Sequence, residues 1–167
     1  HTWPKTIQQK LFFIRDFIVM DTAGRQVAAA TSAWLIIDAQ TRRLIMPQTA
    51  TLNLPSMPEQ IGLAESLEKL PPMQAGEENL RVKAAYSAVD LLGHVTNSRY
   101  VEWVCDTFPI ETYADKELDW LQINYEREIR PGEDVSITSI QSDNDPASWS
   151  VEGQNLTSGT RAFEALL

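Results

Sequence analysis

The chain has 167 residues and a net charge of −9, with 43% hydrophobic and 22% charged residues. These values are typical of a globular protein with one ordinary domain or two small ones. The acidic balance argues against nonspecific nucleic-acid binding, and no apolar run approaches the roughly 20 residues that span a bilayer. We therefore expect neither a nucleic-acid nor a membrane partner.

The start of the chain bears on its location and completeness. It begins at His1 rather than at methionine and shows no signal-peptide pattern. We interpret the chain as truncated or processed and expect a cytoplasmic, bacterial location.

Cysteine and histidine are scarce, which limits metal chemistry. Cys105 is the single cysteine and the two histidines are His1 and His94, far apart in sequence. An intrachain disulfide and a cysteine-based metal cluster are excluded, and the spacing gives a zinc site little support. We expect no cofactor and no metal, and we interpret Cys105 as a small buried hydrophobic residue.

The first part of the chain predicts an antiparallel meander. Residues 9–20 are rich in aromatic and β-branched side chains, and residues 21–24 follow as a hairpin turn. Residues 26–38 form a second long strand, and residues 43–46 form a short strand that ends before Pro47.

Residues 47–80 differ in composition, since they hold five of the nine prolines. Prolines at this density do not fit a central strand. Ser56 and Glu59 match a capping box, and an apolar stripe at helical spacing runs to Pro71. We predict a linker with one short helix; the alternative is a helix in the core of the first meander.

The second part repeats the strand pattern around a longer helix. The predicted strands cover 81–90, 119–128, 135–141, 149–153 and 160–167. Two similar runs of strands suggest a duplication, in which the helix of the first unit lies upstream of His1. We therefore predict a first unit at 1–50, a linker at 51–80 and a second unit at 81–167.

The segment between the strand 81–90 and the helix carries the candidate chemistry. Asp90 and His94 flank a glycine-bearing turn that can place both side chains on one small patch. In the structural interpretation, the carboxylate only bonds the local backbone and the imidazole is a satisfied side chain. The spacing of the two residues does not decide between this interpretation and a catalytic one.

The helix that follows is amphipathic and offers a polar N-terminus. Val101, Val104 and Phe108 recur at helical spacing. Thr96 or Asn97 can cap the exposed amides. Unpaired N–H groups at a helix start can hold an anion or a polarised carbonyl oxygen.

Together these motifs resemble the acyl-acyl carrier protein (ACP) thioesterases of bacteria and plastids. The similarity rests on several motifs in the same order: Thr2-Trp3-Pro4, Arg15-Asp16-Phe17, Ala30-Thr31-Ser32-Ala33-Trp34, Asp90-x-x-Gly93-His94-Val95-x-Asn97-x-x-Tyr100, Trp103 and Tyr125-x-Arg127-Glu128. The resemblance implies an α+β tandem hotdog, in which each antiparallel sheet wraps a long helix. It also implies that the first hotdog lacks its N-terminal part.

The resemblance also implies an activity and its residues. Family members hydrolyse the thioester between a fatty acyl chain and the phosphopantetheine arm of ACP. Asp90 matches the catalytic aspartate, His94 the histidine and Glu128 a later acidic residue. The family asparagine two positions after the aspartate is Leu92 here, and the cysteine of plant members after the glutamate is Ile129.

We therefore predict an acyl-ACP hydrolase in which Asp90, alone or with Glu128, activates a water molecule, and His94 orients this water or protonates the departing thiolate. Direct attack by Asp90, which gives an anhydride, is the alternative. Backbone N–H groups near Gly93 would polarise the carbonyl. The predicted substrate-binding residues are Asn97, Tyr100 and Trp103, and the predicted partner is an acyl-ACP.

Docking of an acidic carrier needs local basic groups on this acidic chain. The candidates are Arg42 with Arg43, Arg81 with Lys83, Arg99, and Arg127 with Arg130. Two alternatives stay open, an acyl-CoA thioesterase and a non-catalytic acyl-binding or assembly module. Pairing into a homo-oligomer is also open.

Overall fold

The computed structural model describes residues 1–50, 55–73 and 76–167. The chain divides into two compact units, His1–Lys69 and Leu70–Leu167. None of the helices in the described ranges is long and apolar enough to cross a membrane.

The first unit is built on an antiparallel meander of three long strands, and a two-stranded ribbon follows it. The strands are β1 (Thr2–Gln8), β2 (Phe12–Met20), β3 (Gln26–Trp34), β4 (Ile36–Ile37) and β5 (Leu44–Ile45). The sheet order is β1-β2-β3, and β4 pairs with β5. The predicted meander is confirmed, with one strand that the sequence pattern did not indicate.

The unpredicted strand is β1, which pairs with β2 through an unusual hairpin. Gln9 and Lys10 both have positive φ angles, 51° and 56°. The amide of Leu11 donates to the carbonyl oxygen of Gln8 at 3.0 Å, which closes a two-residue turn. Such turns normally contain asparagine or glycine, so the predicted strand over 9–20 wrongly included the turn residues.

Residues 55–69 pack onto the first unit and contain no helix, so the predicted short helix is wrong. The Ser56 hydroxyl, expected to cap that helix, donates instead to the carbonyl oxygen of Lys5 at 2.8 Å. The Met57 amide donates to the carbonyl oxygen of Pro4 at 3.0 Å. These bonds tie the segment to the edge of β1. The remaining linker residues 51–54 and 74–75 lie outside the described ranges.

A buried carboxylate holds this segment against the sheet. Asp16 on β2 is fully buried. Its side chain accepts hydrogen bonds from the Gly62 amide at 2.9 Å and from the Thr31 hydroxyl at 2.8 Å. The Lys5 ammonium lies 3.0 Å from its Oδ2 atom. Asp16 therefore connects all three long strands to the covering segment.

The second unit is a five-stranded antiparallel sheet with one longer helix. The strands are β6 (Glu78–Lys83), β7 (Gln122–Tyr125), β8 (Asp134–Gln141), β9 (Trp149–Asn155) and β10 (Thr160–Leu166). Their order is β6-β8-β9-β10-β7. The helices are a 3-10 turn (Tyr86–Ala88), α1 (Asn97–Asp106) and α2 (Thr112–Asp115). The predicted strands over 81–90 and 119–128 are both shorter than expected.

The core of the second unit lies between α1 and the sheet. Tyr100, Trp103 and Val104 are the buried residues of α1 and belong to one apolar cluster with Phe163 of β10. Val101, which the predicted apolar stripe included, is only half-buried, so the buried face of α1 differs slightly from the predicted one. A Cβ atom on Gly153 would lie 1.9 Å from the Phe163 ring, which therefore occupies the space above this glycine.

Replacing Asp16 with asparagine tests the anchoring of the covering segment. The variant should lose about 3 kcal/mol of unfolding free energy, because the Lys5 ammonium keeps its charge without a carboxylate partner. Urea denaturation measures this loss. Asp38→Asn, in an exposed loop of the same unit, is the control and should change stability by less than about 1 kcal/mol. Equal effects of the two changes would contradict the anchoring role.

The same variant has a pH signature. Burial alone raises the pKa of Asp16, but bonds from Gly62, Lys5 and Thr31 outweigh it and hold the pKa below its usual value. The carboxylate thus stabilises the fold above its unfolded pKa of about 3.9, and this stability is lost as pH falls through the lower folded pKa. We expect the Asp16→Asn variant to lack this pH-dependent part of the unfolding free energy.

Candidate active site

The turn between Val89 and Val95 is closed by its own backbone. Val89 and Val95 form an antiparallel bridge, and the Asp90 amide donates to the carbonyl oxygen of His94 at 2.9 Å. Gly93 has a φ of 81°, which a residue with a side chain rarely adopts. Its amide donates to the carbonyl oxygen of Asp90 at 3.1 Å. The turn thus already uses the Gly93 amide as a donor, and its oxyanion role stays a prediction.

The carboxylate of Asp90 is exposed and helps to shape the turn. Its Oδ1 atom accepts hydrogen bonds from the Leu92 amide at 2.8 Å and, more weakly, from the His94 amide at 3.4 Å. Among the described residues, no hydrogen bond is made to Oδ2. One oxygen thus has the structural role considered from sequence, and the other remains available for chemistry.

His94 and Glu128 come together although 33 intervening residues separate them in the chain. The Nε2 atom of His94 lies 3.2 Å from Oε2 of Glu128, and the side chains are 26% and 46% exposed. The amide of Val95 donates to the carbonyl oxygen of Ile129 at 2.9 Å. That bond joins the neighbours of the two residues, so the backbone brings the imidazole and the carboxylate within reach of each other.

The start of α1 leaves its first amides without a side-chain cap. Thr96 occupies the N-cap position, but its hydroxyl makes no capping hydrogen bond, contrary to the prediction. Asn97 is the first helical residue, and its carbonyl oxygen accepts a hydrogen bond from the Tyr125 hydroxyl at 3.2 Å. The Val95 and Thr96 amides, which precede this turn, already donate to the carbonyl oxygens of Ile129 and Ala88.

The structure places two predicted substrate-binding residues in the core. Tyr100 and Trp103 are buried, and their ring centroids are 5.5 Å apart. The Tyr100 hydroxyl accepts a hydrogen bond from the Ile129 amide at 3.2 Å. Burial raises the pKa of Tyr100 to about 12, so the phenol stays protonated near neutral pH. Its contacts with core rings and with Ile129 account for the position of this side chain.

Cys105 is half-buried on α1 and does not have the properties of a nucleophile. Burial raises the pKa of its thiol, and nearby Asp106 adds to the effect. A raised pKa keeps the sulfur protonated, whereas the thiolate is the reactive form.

A pocket of about 390 Å³ opens beside Glu128. It is lined by Arg127, Glu128, Arg130, Glu133, Asn155, Ser158 and Thr160. Sequence analysis singled out only the first three, Arg127 and Arg130 as candidate basic groups and Glu128 as a motif residue. The pairing of β9 with β10 brings Asn155 and Thr160 together, and no motif marked the residues of that hairpin.

Family models match both parts of the chain. The model described as acyl-ACP thioesterase C-terminal domain covers residues 71–163, and the N-terminal domain model covers residues 1–49. This chain belongs to the acyl-ACP thioesterase family.

Named relatives of the family include plant enzymes. The chain is 29% identical over 158 residues to an oleoyl-acyl carrier protein thioesterase of Coriandrum sativum, covering 84% of this chain and 42% of that protein. It is 30% identical over 146 residues to oleoyl-acyl carrier protein thioesterase 2 of Arabidopsis thaliana, covering 80% of this chain and 40% of that protein. Both are chloroplastic, and the chain spans about two fifths of their length.

Solved structures of acyl-ACP thioesterases share the fold. The crystal structure of the enzyme from Bacteroides thetaiotaomicron aligns with a TM-score of 0.82 at 23% identity, over 99% of this chain and 65% of that one. The 12:0-ACP thioesterase from Umbellularia californica aligns with a TM-score of 0.72 at 20% identity, over 99% and 64%. These alignments confirm the predicted hotdog fold class.

Leu92, which replaces the asparagine expected from the resemblance, is 81% exposed at the tip of the turn. Its amide supports Asp90 Oδ1, but its side chain supplies no hydrogen-bond donor or acceptor. In this family member, position 92 therefore contributes no polar side chain to the turn.

The variant Tyr100→Phe tests whether this residue is structural. It should lower the unfolding free energy by about 1–3 kcal/mol, because the buried Ile129 amide loses its acceptor. Chemical denaturation measures the change. Tyr86→Phe, at a tyrosine that is 95% exposed, is the matched control and should stay within about 0.5 kcal/mol of wild type. A Tyr100→Phe protein as stable as this control would overturn the structural assignment.

Proposed function

We propose that the protein hydrolyses fatty acyl-ACP thioesters and releases free fatty acids, which ends chain elongation. The observation that carries the proposal is the 3.2 Å contact between His94 and Glu128 beside the Asp90 turn. Membership of the acyl-ACP thioesterase family supports it, as do the named activities of the plant relatives.

The proposed reaction begins with water activation by Asp90. The Oδ2 atom accepts a proton from water while the water oxygen forms a bond to the thioester carbonyl carbon. The Oδ1 atom stays bonded to the Leu92 amide, which holds the carboxylate in place. Because this carboxylate is exposed in the chain described, substrate must exclude bulk water from it.

His94 and Glu128 orient the reacting water in this proposal. The Glu128 carboxylate lies against His94 Nε2, and in this proposal Nδ1 faces the water or the substrate. The carbon–sulfur bond then breaks, and the thiolate takes up the proton that Asp90 removed from water. A thiol leaves readily, so this step needs little acid assistance.

The negative charge that develops on the carbonyl oxygen needs hydrogen-bond donors. We assign this role to the amides of Asn97 and Ser98 at the start of α1, which the Thr96 side chain does not cap, whereas the Arg99 amide donates to the Thr96 carbonyl oxygen. These N–H groups point along the helix axis, and the partial positive charge of the N-terminus adds to their effect.

A non-catalytic acyl-binding or assembly module is the second candidate, and the exposed Leu92 favours it. In that case the protein would bind acyl-ACP without turnover. An acyl-CoA thioesterase would share the same residues and differ only in its carrier. The cytoplasmic location and the homo-oligomer remain predictions.

Asp90→Asn separates catalysis from turn structure. Asparagine keeps an Oδ1 acceptor for the Leu92 amide but cannot remove a proton from water, so turnover of acyl-ACP should fall by about 100-fold or more. Steady-state hydrolysis measures the rate, and circular dichroism checks the fold. Asp143→Asn, at an exposed aspartate of the same unit, is the control. Near-wild-type turnover by Asp90→Asn would rule out the assigned role, and binding without turnover by the wild type would favour the second candidate.

A further inference from the structure

The pocket beside Glu128 contains two guanidinium groups with no ion-pair partner among the described residues. Arg127 and Arg130 both line it. By contrast, four other arginines contact carboxylates at 2.5–3.3 Å, namely Arg25, Arg81, Arg99 and Arg161. On a chain with a net charge of −9, unpaired cations gathered in one pocket indicate a site for an anion.

The two acidic side chains of the pocket already have partners. Oε2 of Glu133 accepts hydrogen bonds from the Arg130 amide at 2.8 Å and from Nδ2 of Asn155 at 2.7 Å. Oε2 of Glu128 lies against His94. These contacts hold both carboxylates against protein donors, so neither forms an ion pair with Arg127 or Arg130, and both guanidinium groups remain available to an external anion.

The β9–β10 hairpin adds hydroxyl groups to the pocket. The hydroxyl oxygens of Ser158 and Thr160 are 2.8 Å apart, so one hydroxyl donates to the other and the second proton stays free to donate. Oδ1 of Asn155 accepts hydrogen bonds from the Thr157 amide at 2.9 Å and the Ser158 amide at 3.2 Å, which fixes the hairpin. Guanidinium and hydroxyl donors together suit a phosphate group.

We propose that Arg127 and Arg130 bind the phosphate of a phosphopantetheine arm that carries the acyl thioester. Glu128 lines the same pocket and contacts His94, so an arm held at the arginines extends toward the candidate catalytic residues. This inference rests on the proposed thioesterase function and adds the recognition of its carrier. The phosphate is common to ACP and coenzyme A.

The test compares two substrates that differ only in this phosphate. Wild-type protein should hydrolyse acyl-phosphopantetheine with a kcat/KM about tenfold above that of the same acyl chain on pantetheine. In the double variant Arg127→Gln/Arg130→Gln this ratio should fall toward one, mainly through KM. The matched control Arg25→Gln removes the same kind of charge from the other unit and should keep the wild-type ratio. An unchanged ratio in the double variant would overturn the proposal.

Further measurements distinguish recognition of the shared phosphate from recognition of the carrier protein, and also test the proposed function. Loss of kcat/KM with both acyl-ACP and acyl-CoA would show that the shared phosphate is recognised, whereas loss with acyl-ACP alone would assign the arginines to the carrier protein surface and contradict the inference. If the wild type hydrolyses no thioester, the proposed function fails. Calorimetric titration with phosphopantetheine and with pantetheine then still tests the site, and equal binding of the two would reject it.

Discussion

The backbone of Ile129 is the point on which the site depends. Its carbonyl oxygen accepts the Val95 amide and its own amide donates to the Tyr100 hydroxyl. The side chain is fully buried, so the segment cannot shift without opening the core. Because Val95 follows His94 and Ile129 follows Glu128, this single position connects the turn, the helix and the acidic residue. An exposed contact between an imidazole and a carboxylate contributes little stability by itself. Here the buried backbone of Ile129 positions the two residues near each other.

The two units cover their sheets by different means. The second unit places Tyr100 and Trp103 of α1 over its sheet, as expected for a hotdog. The first unit has no helix in its described residues and instead lays the segment 55–69 over one face. That segment has little regular structure of its own, so it needs the buried Asp16 carboxylate to fix it through Gly62. A Cβ atom at Gly62 would lie 3.1 Å from Cβ of Asp16, which leaves little room for a larger residue.

Much of this arrangement was predictable because it follows local patterns. Runs of aromatic, β-branched and other apolar residues indicated most strands, and the spacing of Asp90, Gly93 and His94 indicated the turn before α1. The resemblance placed Glu128 among the functional residues, and the structure brings it to His94. Glycine at position 93 was correctly assigned to a turn, but the use of its amide depends on a bond that a sequence does not display.

The remaining features depend on contacts between distant segments. Ser56 fits a helix cap by sequence, yet its hydroxyl donates to the Lys5 carbonyl oxygen of β1, and no helix forms over residues 55–69. The hairpin turn at Gln9 and Lys10 contains no glycine, so the sequence pattern did not indicate it. Ser158 and Thr160 reach the pocket only because β9 and β10 pair, which no motif near Glu128 reveals.

If His94 and Glu128 act as one unit, a double-mutant cycle on acyl-ACP hydrolysis will show it. Kinetics would be measured for His94→Gln, for Glu128→Gln and for the protein with both changes, with Glu126→Gln as a neighbouring control. We predict that the double variant is no slower than His94→Gln alone, because Glu128 works through the imidazole. Effects that multiply would contradict the account, since they would show that the two residues act independently.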